Sequence, residues 1–155
     1  MDKLIQLSLQ INRPVEEVFR MFTVNEHLQG WLTQEANVEP MVGGRYELYW
    51  NPANKEVDST IGCKVLAIEE NKLLAFEWKG SSQFHHVMNE VRPLTHVMVF
   101  FYPREEGTEI HLLHTGWRDT PEWEEAREWF TKAWSMSFSS LEKYLNRQSV
   151  EKCCE

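Results

Sequence analysis

The sequence predicts an α+β domain in which a curved antiparallel sheet of about six or seven strands wraps around a long C-terminal helix. Two short helical patterns follow the first strand, residues 36–117 consist of strands with two-residue periodicity and the turns between them, and one long amphipathic stretch closes the chain. The links between the middle strands are of hairpin length, so neighbouring strands run antiparallel. Helices therefore belong to the two ends of the chain and lie on one face of the sheet.

Length and composition fit a single globular domain. The chain has 155 residues, enough for one domain with its own core. We place that domain at residues 1–148 and expect a disordered tail at 149–155, because the terminal VEKCCE is charged. Hydrophobic residues make up 42% and charged residues 26%, which excludes a disordered chain and a membrane protein. The formal charge of −8, without a basic stripe, argues against nucleic acid as a partner.

The cysteines and the N-terminus predict the compartment. Cys63, Cys153 and Cys154 form an odd set without the spacing of a disulfide framework, which indicates reducing surroundings. The first residues alternate polar and apolar instead of forming the apolar run of a signal peptide. No stretch approaches the ~20 apolar residues of a membrane span. We expect a cytoplasmic protein without membrane insertion.

The first 32 residues predict a strand followed by two short helices. Apolar residues alternate along a strand from Ile5 to Ile11. Pro14 suits the first position of a helix whose apolar residues recur at helical spacing as far as Phe22. Thr23 is positioned to cap a second helix. The buried side of that helix consists of Leu28, Trp31 and Leu32.

Residues 36–117 predict strands joined by turns. The stretches TIGCKVLAIE and KLLAFEW are joined by a hairpin turn around Asn71, and PREEG joins the last two strands. Alternation places side chains on shared strand faces in four sets, which are Tyr46, Leu48 and Trp50; Leu74, Phe76 and Trp78; Val97, Val99 and Phe101; and Ile110, Leu112 and His114.

The last third of the chain contains an irregular link and the strongest helix signal. Residues 79–94 have no periodicity, and links of this length are commonly functional or mobile. Asp119 or Thr120 can cap the final helix and Pro121 can begin it. A helix of ~27 residues spans roughly 40 Å, enough to cross a sheet. Its two apolar stripes are Phe130, Trp134, Phe138, Leu141 and Leu145, and beside them Trp129, Ala133, Met136 and Tyr144.

Four stretches resemble a known family: INRPVEEVFRMFTVNEHLQGWL, VEPMVGGRYELYW, GCKVLAIEENKLLAFEW and GTEIHLLHTGW, followed by the long helix. They resemble bacterial proteins related to the C-terminal domain of the activator of the Hsp90 ATPase, in the START-like, helix-grip group. The resemblance implies a helix-grip fold with a hydrophobic cavity between the sheet and the C-terminal helix. It also implies binding of lipids, sterols or polyketides, cyclisation or hydrolysis in the cavity, or docking on an Hsp90-type chaperone. The eukaryotic activator stimulates the chaperone with a separate N-terminal domain, and we expect no counterpart of that domain within these 155 residues.

The adjacent glycines Gly43 and Gly44 do not predict a phosphate site. The Lys-Ser/Thr of a P-loop and the G-x-G-x-x-G spacing of a dinucleotide site are both missing, and a strand follows instead of a helix. A turn in which one glycine has a positive φ accounts for the pair better. We predict no cofactor.

The histidines do not predict a metal site. His85 and His86 are adjacent, and His111 and His114 are three apart on a strand, so the members of each pair point to opposite sides. Neither pair has zinc-site spacing. His114 shares a face with Leu112 and is the one histidine on the predicted cavity side. A hydrogen-bonded core histidine and an acid-base group both fit it.

The seven Trp, eight Phe and four Tyr are the basis of the site prediction. Rings on shared strand faces, opposite the rings of the last helix, fit a close-packed core or an apolar ligand cavity. The predicted lining is Trp31, Tyr46, Leu48, Trp50, Phe76, Trp78, Val99, Phe101, Leu112, His114, Trp134 and Phe138. We predict a non-catalytic binding domain for a small hydrophobic or amphipathic ligand. The alternatives are a partner of an Hsp90-type chaperone and a cavity enzyme, a cyclase or hydrolase, that uses His114.

Overall fold

The protein is described from a computed structural model, which covers the backbone of residues 3–153 and the side chains of residues 3–148. In chain order the elements are β1 (Ile5–Ile11), α1 (Val15–Thr23), α2 (Asn25–Trp31), β2 (Glu35–Val38), β3 (Tyr46–Tyr49), β4 (Val65–Glu69), β5 (Leu73–Glu77), a 3₁₀ turn (Ser82–Phe84), a π-helical turn (His85–Asn89), β6 (His96–Arg104), β7 (Gly107–Thr115) and α3 (Pro121–Cys153). The predicted α+β class and element order are confirmed.

The strands form two antiparallel sheets, of five strands in the order β1-β7-β6-β5-β4 and of two strands, β2-β3. The prediction of about six or seven strands holds for the number of strands, but they are divided between the two sheets. The backbone N–H of Tyr46 donates to the carbonyl of Cys63 (2.9 Å), and that of Val65 donates to Gly44 (2.8 Å). These bonds connect the small sheet, near the start of β3, to the chain that leads into β4 of the large sheet.

The register confirms the strand faces predicted from alternation. In the β6–β7 hairpin, Val97 lies opposite His114 and Val99 lies opposite Leu112. Asn71 has a positive φ in the predicted hairpin turn between β4 and β5. Because side chains alternate along a strand, these pairs lie on one face and are buried together.

The turn at Gly43 and Gly44 has the predicted form. Gly43 has φ +82°, and its N–H donates to the carbonyl of Val65 (2.9 Å). A Cβ on Gly44 would lie 2.4 Å from the carbonyl oxygen of Glu39. Both positions therefore require glycine for the geometry of the chain.

One predicted helix cap is wrong. Thr23 is the last residue of α1, and its hydroxyl donates to the carbonyl of Phe19 (3.1 Å) instead of capping α2. The side chain of Asn25, the first residue of α2, accepts the N–H of Val38 (2.8 Å) and so holds the helix to β2. The four-residue strand β2 is too short to produce a clear alternation and was not among the predicted strands.

Helix α3 begins as predicted. The hydroxyl of Thr120 accepts the N–H of Trp123 (3.3 Å), which makes Thr120 the cap. The helix has 33 residues and continues to Cys153. The domain end at residue 148 and a disordered tail at 149–155 remain predictions, since residues 154–155 and the side chains from 149 onward lie outside the described part.

The core joins α1 to the sheet through aromatic side chains. Tyr46 stacks on Phe76 with ring centroids 3.8 Å apart, and its hydroxyl donates to the carbonyl of Phe22 (2.8 Å). Burial raises the pKa of the Tyr46 phenol. Phe19 and Phe22 contact Phe101 edge to face at 5.1 and 5.6 Å. These contacts fill the space beneath α1 and leave the region beside α3 as the place where a cavity remains.

Candidate functional site

A cavity of about 450 Å³ lies between α3 and the ends of β3 and β5. This volume is in the range of small-molecule sites. The lining residues are Leu32, Trp50, Asp58, Ser59, Trp78, Lys79, Gly80, Ser81, Ser82, Gln83, Trp129, Phe130, Ala133, Trp134 and Ser137. Aromatic side chains thus form one part of the wall, and a polar segment of the chain forms another.

One face of α3 creates the empty space. Phe130, Ala133, Trp134 and Ser137 line the cavity at positions i, i+3, i+4 and i+7, which is one helical face. Ala133 and Ser137 carry small side chains, and the Ser137 hydroxyl donates to the carbonyl of Ala133 (2.9 Å). Large residues at these two positions would fill the cavity, so their size is what keeps it open.

The indole walls are held in place by contacts with one another and by hydrogen bonds. Trp78 lies between Trp134 and Trp50, with ring centroids 5.0 and 5.9 Å away. The indole N–H of Trp50 donates to the carbonyl of Leu32 (3.0 Å). Trp50 is 37% exposed and Trp129 is 42% exposed, so these two rings lie towards solvent, whereas Trp78 is 4% exposed. The buried indole of Trp78 therefore lines the inner part of the cavity, and the partly exposed indoles of Trp50 and Trp129 lie at its opening.

The segment after β5 supplies the polar wall, and its backbone is tightly held. The side chain of Asn89 accepts the N–H of Gly80 (2.7 Å) and donates to the Gly80 carbonyl (3.0 Å). A Cβ on Gly80 would lie 2.6 Å from the sulfur of Met88. Asp58 accepts the N–H of Ser82 (2.6 Å). The predicted irregular link at 79–94 is thus ordered by side-chain hydrogen bonds to its backbone.

Two buried polar atoms of the cavity wall have no partner among the described residues: the indole nitrogen of Trp78 and the hydroxyl of Ser81. Native proteins rarely leave such groups unpaired, because each costs about 1–3 kcal/mol. Both residues line the same cavity. The two atoms themselves are buried within the wall and are not exposed to the cavity.

His114 is a buried hydrogen-bond bridge. The indole of Trp134 can only donate, so His114 Nδ1 accepts its N–H (3.1 Å), and Nε2 carries the proton and donates to the hydroxyl of Thr95 (3.0 Å). Burial, and to a smaller extent nearby His96, lowers the pKa of His114 to about 3. A neutral imidazole with both nitrogens engaged positions Trp134 and has no free atom for proton transfer.

The structure separates the predicted site residues into two groups. Three of them line the cavity: Trp50, Trp78 and Trp134. The others are buried side chains that do not line it: Trp31, Tyr46, Leu48, Phe76, Val99, Phe101, Leu112, His114 and Phe138. Contact between a ligand and the first group remains a prediction.

Sequence reasoning did not select the polar wall or the small residues of α3. Asp58, Ser59 and residues 79–83 line the cavity, although alternation gave no reason to choose them. The one signal was the length of the irregular link that begins at residue 79. Ala133 belonged to a predicted apolar stripe, and Ser137 lies one turn further along the same face of the helix.

Metal clusters and membrane-spanning helices were also sought in the described residues. No group of three or more His, Cys, Asp or Glu side chains there is arranged to hold a metal ion. No described helix combines the length and the hydropathy needed to cross a bilayer. His85 and His86 instead lie beside Glu90 and Glu122, at 3.5 and 3.6 Å.

Comparison with known proteins confirms the family resemblance. The sequence model of the Activator of Hsp90 ATPase homolog 1-like protein family matches residues 12–146. No curated protein matches the sequence.

Solved structures show the same helix-grip fold. A protein from Mesorhizobium loti is 24% identical with a TM-score of 0.73, over 94% of this chain and 98% of that one. The Aha1 dimer from Colwellia psychrerythraea is 19% identical with a TM-score of 0.69, over 90% and 93%. CalU16 from Micromonospora echinospora is 16% identical with a TM-score of 0.68, over 97% and 80%. At these identities the similarity establishes the fold alone.

Proposed function

Since this chain belongs to the Activator of Hsp90 ATPase homolog 1-like family, we propose that it is a non-catalytic binding domain for a small hydrophobic or amphipathic molecule. The observation that carries the proposal is the cavity of about 450 Å³ whose wall includes the indoles of Trp50, Trp78, Trp129 and Trp134. Sites for small molecules are mostly apolar, with a few polar groups that orient the ligand. The expected cytoplasmic location belongs to this proposal.

The geometry of His114 favours binding over catalysis. A general acid or base must reach the reacting atom and exchange a proton near working pH. His114 does not line the cavity, both of its nitrogens are engaged, and burial lowers its pKa to about 3. The cyclase or hydrolase alternative therefore loses the residue on which it rested.

The test uses the small residues of α3. N-Phenylnaphthylamine, a neutral fluorescent molecule, is titrated into the wild-type protein and into Ser137→Phe, whose ring would occupy the cavity. We expect saturable binding to the wild type and an affinity at least about tenfold lower in the variant, because the ligand and the new ring compete for one volume. Native mass spectrometry of the freshly purified wild type shows whether a small molecule accompanies it.

The matched control is Ser139→Phe. Ser139 is an exposed serine on the same helix, outside the cavity lining, and its hydroxyl also bonds one turn back, to the carbonyl of Ser135 (3.3 Å). This variant should bind the probe like the wild type. Equal affinities of the wild type and Ser137→Phe, with both folded, would contradict the cavity as the binding site.

A chaperone partner is the second candidate. The family description names the activator of Hsp90 ATPase, and α3 exposes Met136 by 72% and Trp129 by 42%, seven residues apart on one side of the helix. Contiguous apolar patches mark protein contacts, and these two side chains are the large apolar ones that the described part of α3 exposes. Capture of an Hsp90-type chaperone by the wild type, and its loss in Met136→Lys, would support this candidate; equal capture by both would contradict the role given to α3.

A further inference from the structure

The opening of the cavity has a carboxylate beside an indole. Trp50 and Asp58 lie opposite each other where the chain after β3 pairs with the chain that leads towards β4. The backbone N–H of Trp50 donates to the carbonyl of Asp58 (3.0 Å), and Tyr49 pairs with Ser59 next to them. Side chains of directly opposed residues in an antiparallel pair lie on one face. Both Trp50 and Asp58 line the cavity, and together they form what we call the Trp50–Asp58 corner.

We propose that the Trp50–Asp58 corner binds a positively charged nitrogen, so that the ligand is an apolar molecule that ends in an amine or a quaternary ammonium. The apolar body of the ligand would lie in the inner part of the cavity, against Trp78 and Trp134. This inference rests on the proposed function and adds the chemical class of the ligand.

The negative charge of Asp58 is not neutralised by the protein. The charged residues of the lining are Asp58 and Lys79. The ammonium of Lys79 lies beside Gly62, 3.8 Å from the position that a Cβ would take there, and Gly62 does not line the cavity. Among the described residues, Asp58 belongs to no ion pair. Its Oδ1 accepts the N–H of Ser82 (2.6 Å), but a carboxylate has further acceptor positions.

The indoles at the opening offer a second attraction for a cation. The face of an aromatic ring is electron-rich and attracts a positive charge that lies within about 6 Å of its centre, and tryptophan does so most strongly. Trp50 meets Trp78 at 75°, and Trp129 meets Phe130 at 74°. A neighbour in such an edge-to-face pair covers at most one face of a ring. The partial exposure of Trp50 and Trp129 shows that part of their surface is open.

The same features disfavour an acidic ligand. An anion at the opening would meet the carboxylate of Asp58 and the electron-rich faces of the indoles, and like charges repel. The formal charge of −8 adds a long-range field of the same sign. A neutral ligand would gain from the apolar walls but from neither of these electrostatic terms. A cationic end group is therefore the one that the opening distinguishes.

The test compares two competitors that share one ring system and carry opposite charges. Naphthylmethyl-trimethylammonium and naphthylacetate are each titrated against N-phenylnaphthylamine bound to the wild type. We expect the cation to displace the probe at a concentration roughly tenfold lower than the anion, as a cation–π contact beside a carboxylate predicts. Added salt should narrow this ratio, because the opening is partly exposed and its charges are screened.

Asp58→Asn isolates the charge. Asp58 has φ +50°, a conformation that asparagine also tolerates, and the amide oxygen can still accept the N–H of Ser82. This variant should bring the two affinities close together by weakening the cation. The matched control is Asp119→Asn, which removes the same charge from an exposed position outside the lining and should leave the ratio unchanged. Trp50→Leu keeps an apolar side chain without a ring and should also lower the ratio.

The outcomes distinguish this inference from the proposed function. The cationic ligand is overturned if the wild type binds both competitors equally or prefers the anion, if neither competitor displaces the probe, or if the ratio falls equally in Asp58→Asn and Asp119→Asn. Binding of N-phenylnaphthylamine that Ser137→Phe blocks would still support the cavity in each of these cases. If the probe itself does not bind the folded wild type, the proposed function and the cationic ligand fail together.

Discussion

Acidification should destabilise this protein through His114. In the folded state Nδ1 of His114 accepts the indole N–H of Trp134 (3.1 Å), and Nε2–H donates to Thr95 (3.0 Å). A second proton would have to enter at Nδ1, where it meets a donor. Burial also opposes the charge, and together with the smaller effect of His96 it lowers the pKa of His114 to about 3. The unfolded chain has no such restriction and takes up the proton near pH 6.5.

The sign and the size of the effect follow from proton linkage. Because the folded pKa is below the unfolded one, the unfolded state binds more protons at pH values between them. The contribution of neutral His114 is present above pH 6.5 and is lost as the pH falls from 6.5 through 3. The loss is about 1.4 kcal/mol per pH unit in this window, or about 2.5 kcal/mol between pH 7 and pH 4.5.

Urea denaturation of the wild type and of His114→Gln at the two pH values measures this term. Glutamine can accept at its oxygen and donate at its nitrogen, but it does not titrate. Carboxylates titrate alike in both proteins, so the difference between their pH dependences isolates His114. We expect the free energy of unfolding of His114→Gln to fall by about 2.5 kcal/mol less than that of the wild type.

The reasoning would be refuted if the free energy of unfolding changed equally with pH in the wild type and in His114→Gln. If the variant is too unstable for denaturation experiments, the wild-type imidazole resonance of His114 can be followed by NMR. It should keep the chemical shift of the neutral ring down to about pH 4, because burial lowers the pKa of His114 to about 3. Titration of His114 near pH 6.5 would contradict the buried, neutral state.

The remaining predictions concern the core and the polar wall. Tyr46→Phe should lower the free energy of unfolding in urea by about 1–3 kcal/mol, because the buried carbonyl of Phe22 loses its hydrogen bond; an unchanged midpoint would contradict this. Gly80→Ala should lower the melting temperature and weaken probe binding, since the new Cβ would lie 2.6 Å from Met88 Sδ. The expected cost of such overpacking is about 1–3 kcal/mol, and a variant as stable as the wild type would refute it.

Much of the fold could be predicted because it follows from short-range periodicity. Alternation places His114 on the same strand face as Leu112, and the hairpin between β6 and β7 pairs them with two buried valines on the neighbouring strand, Val97 and Val99. The start of α3 directly after Thr120 follows from capping chemistry between residues only three positions apart. Thr23 shows the limit, because the same residue type also serves as the last residue of α1.

The division of the strands into two sheets could not be predicted in this way. Between β3 and β4 the chain pairs at isolated positions, Arg45 with Lys64 and Tyr49 with Ser59. Whether such pairs merge into one ladder depends on the path of residues 50–64, which have no simple period. Hydrogen bonding between segments distant in sequence decides this, and local patterns do not report it.

By itself the sequence determined the α+β class, the order of the elements and the faces on which the large rings lie, because these depend on side-chain periods within single elements. Only the tertiary structure decided which rings border empty space. Tyr46 and Phe76 stack on each other and fill the core, whereas Trp78 borders the cavity because Ala133 and Ser137 of α3 are small. Side chains from distant parts of the chain decide together which volumes are filled. The periodicity of a single segment does not contain this information.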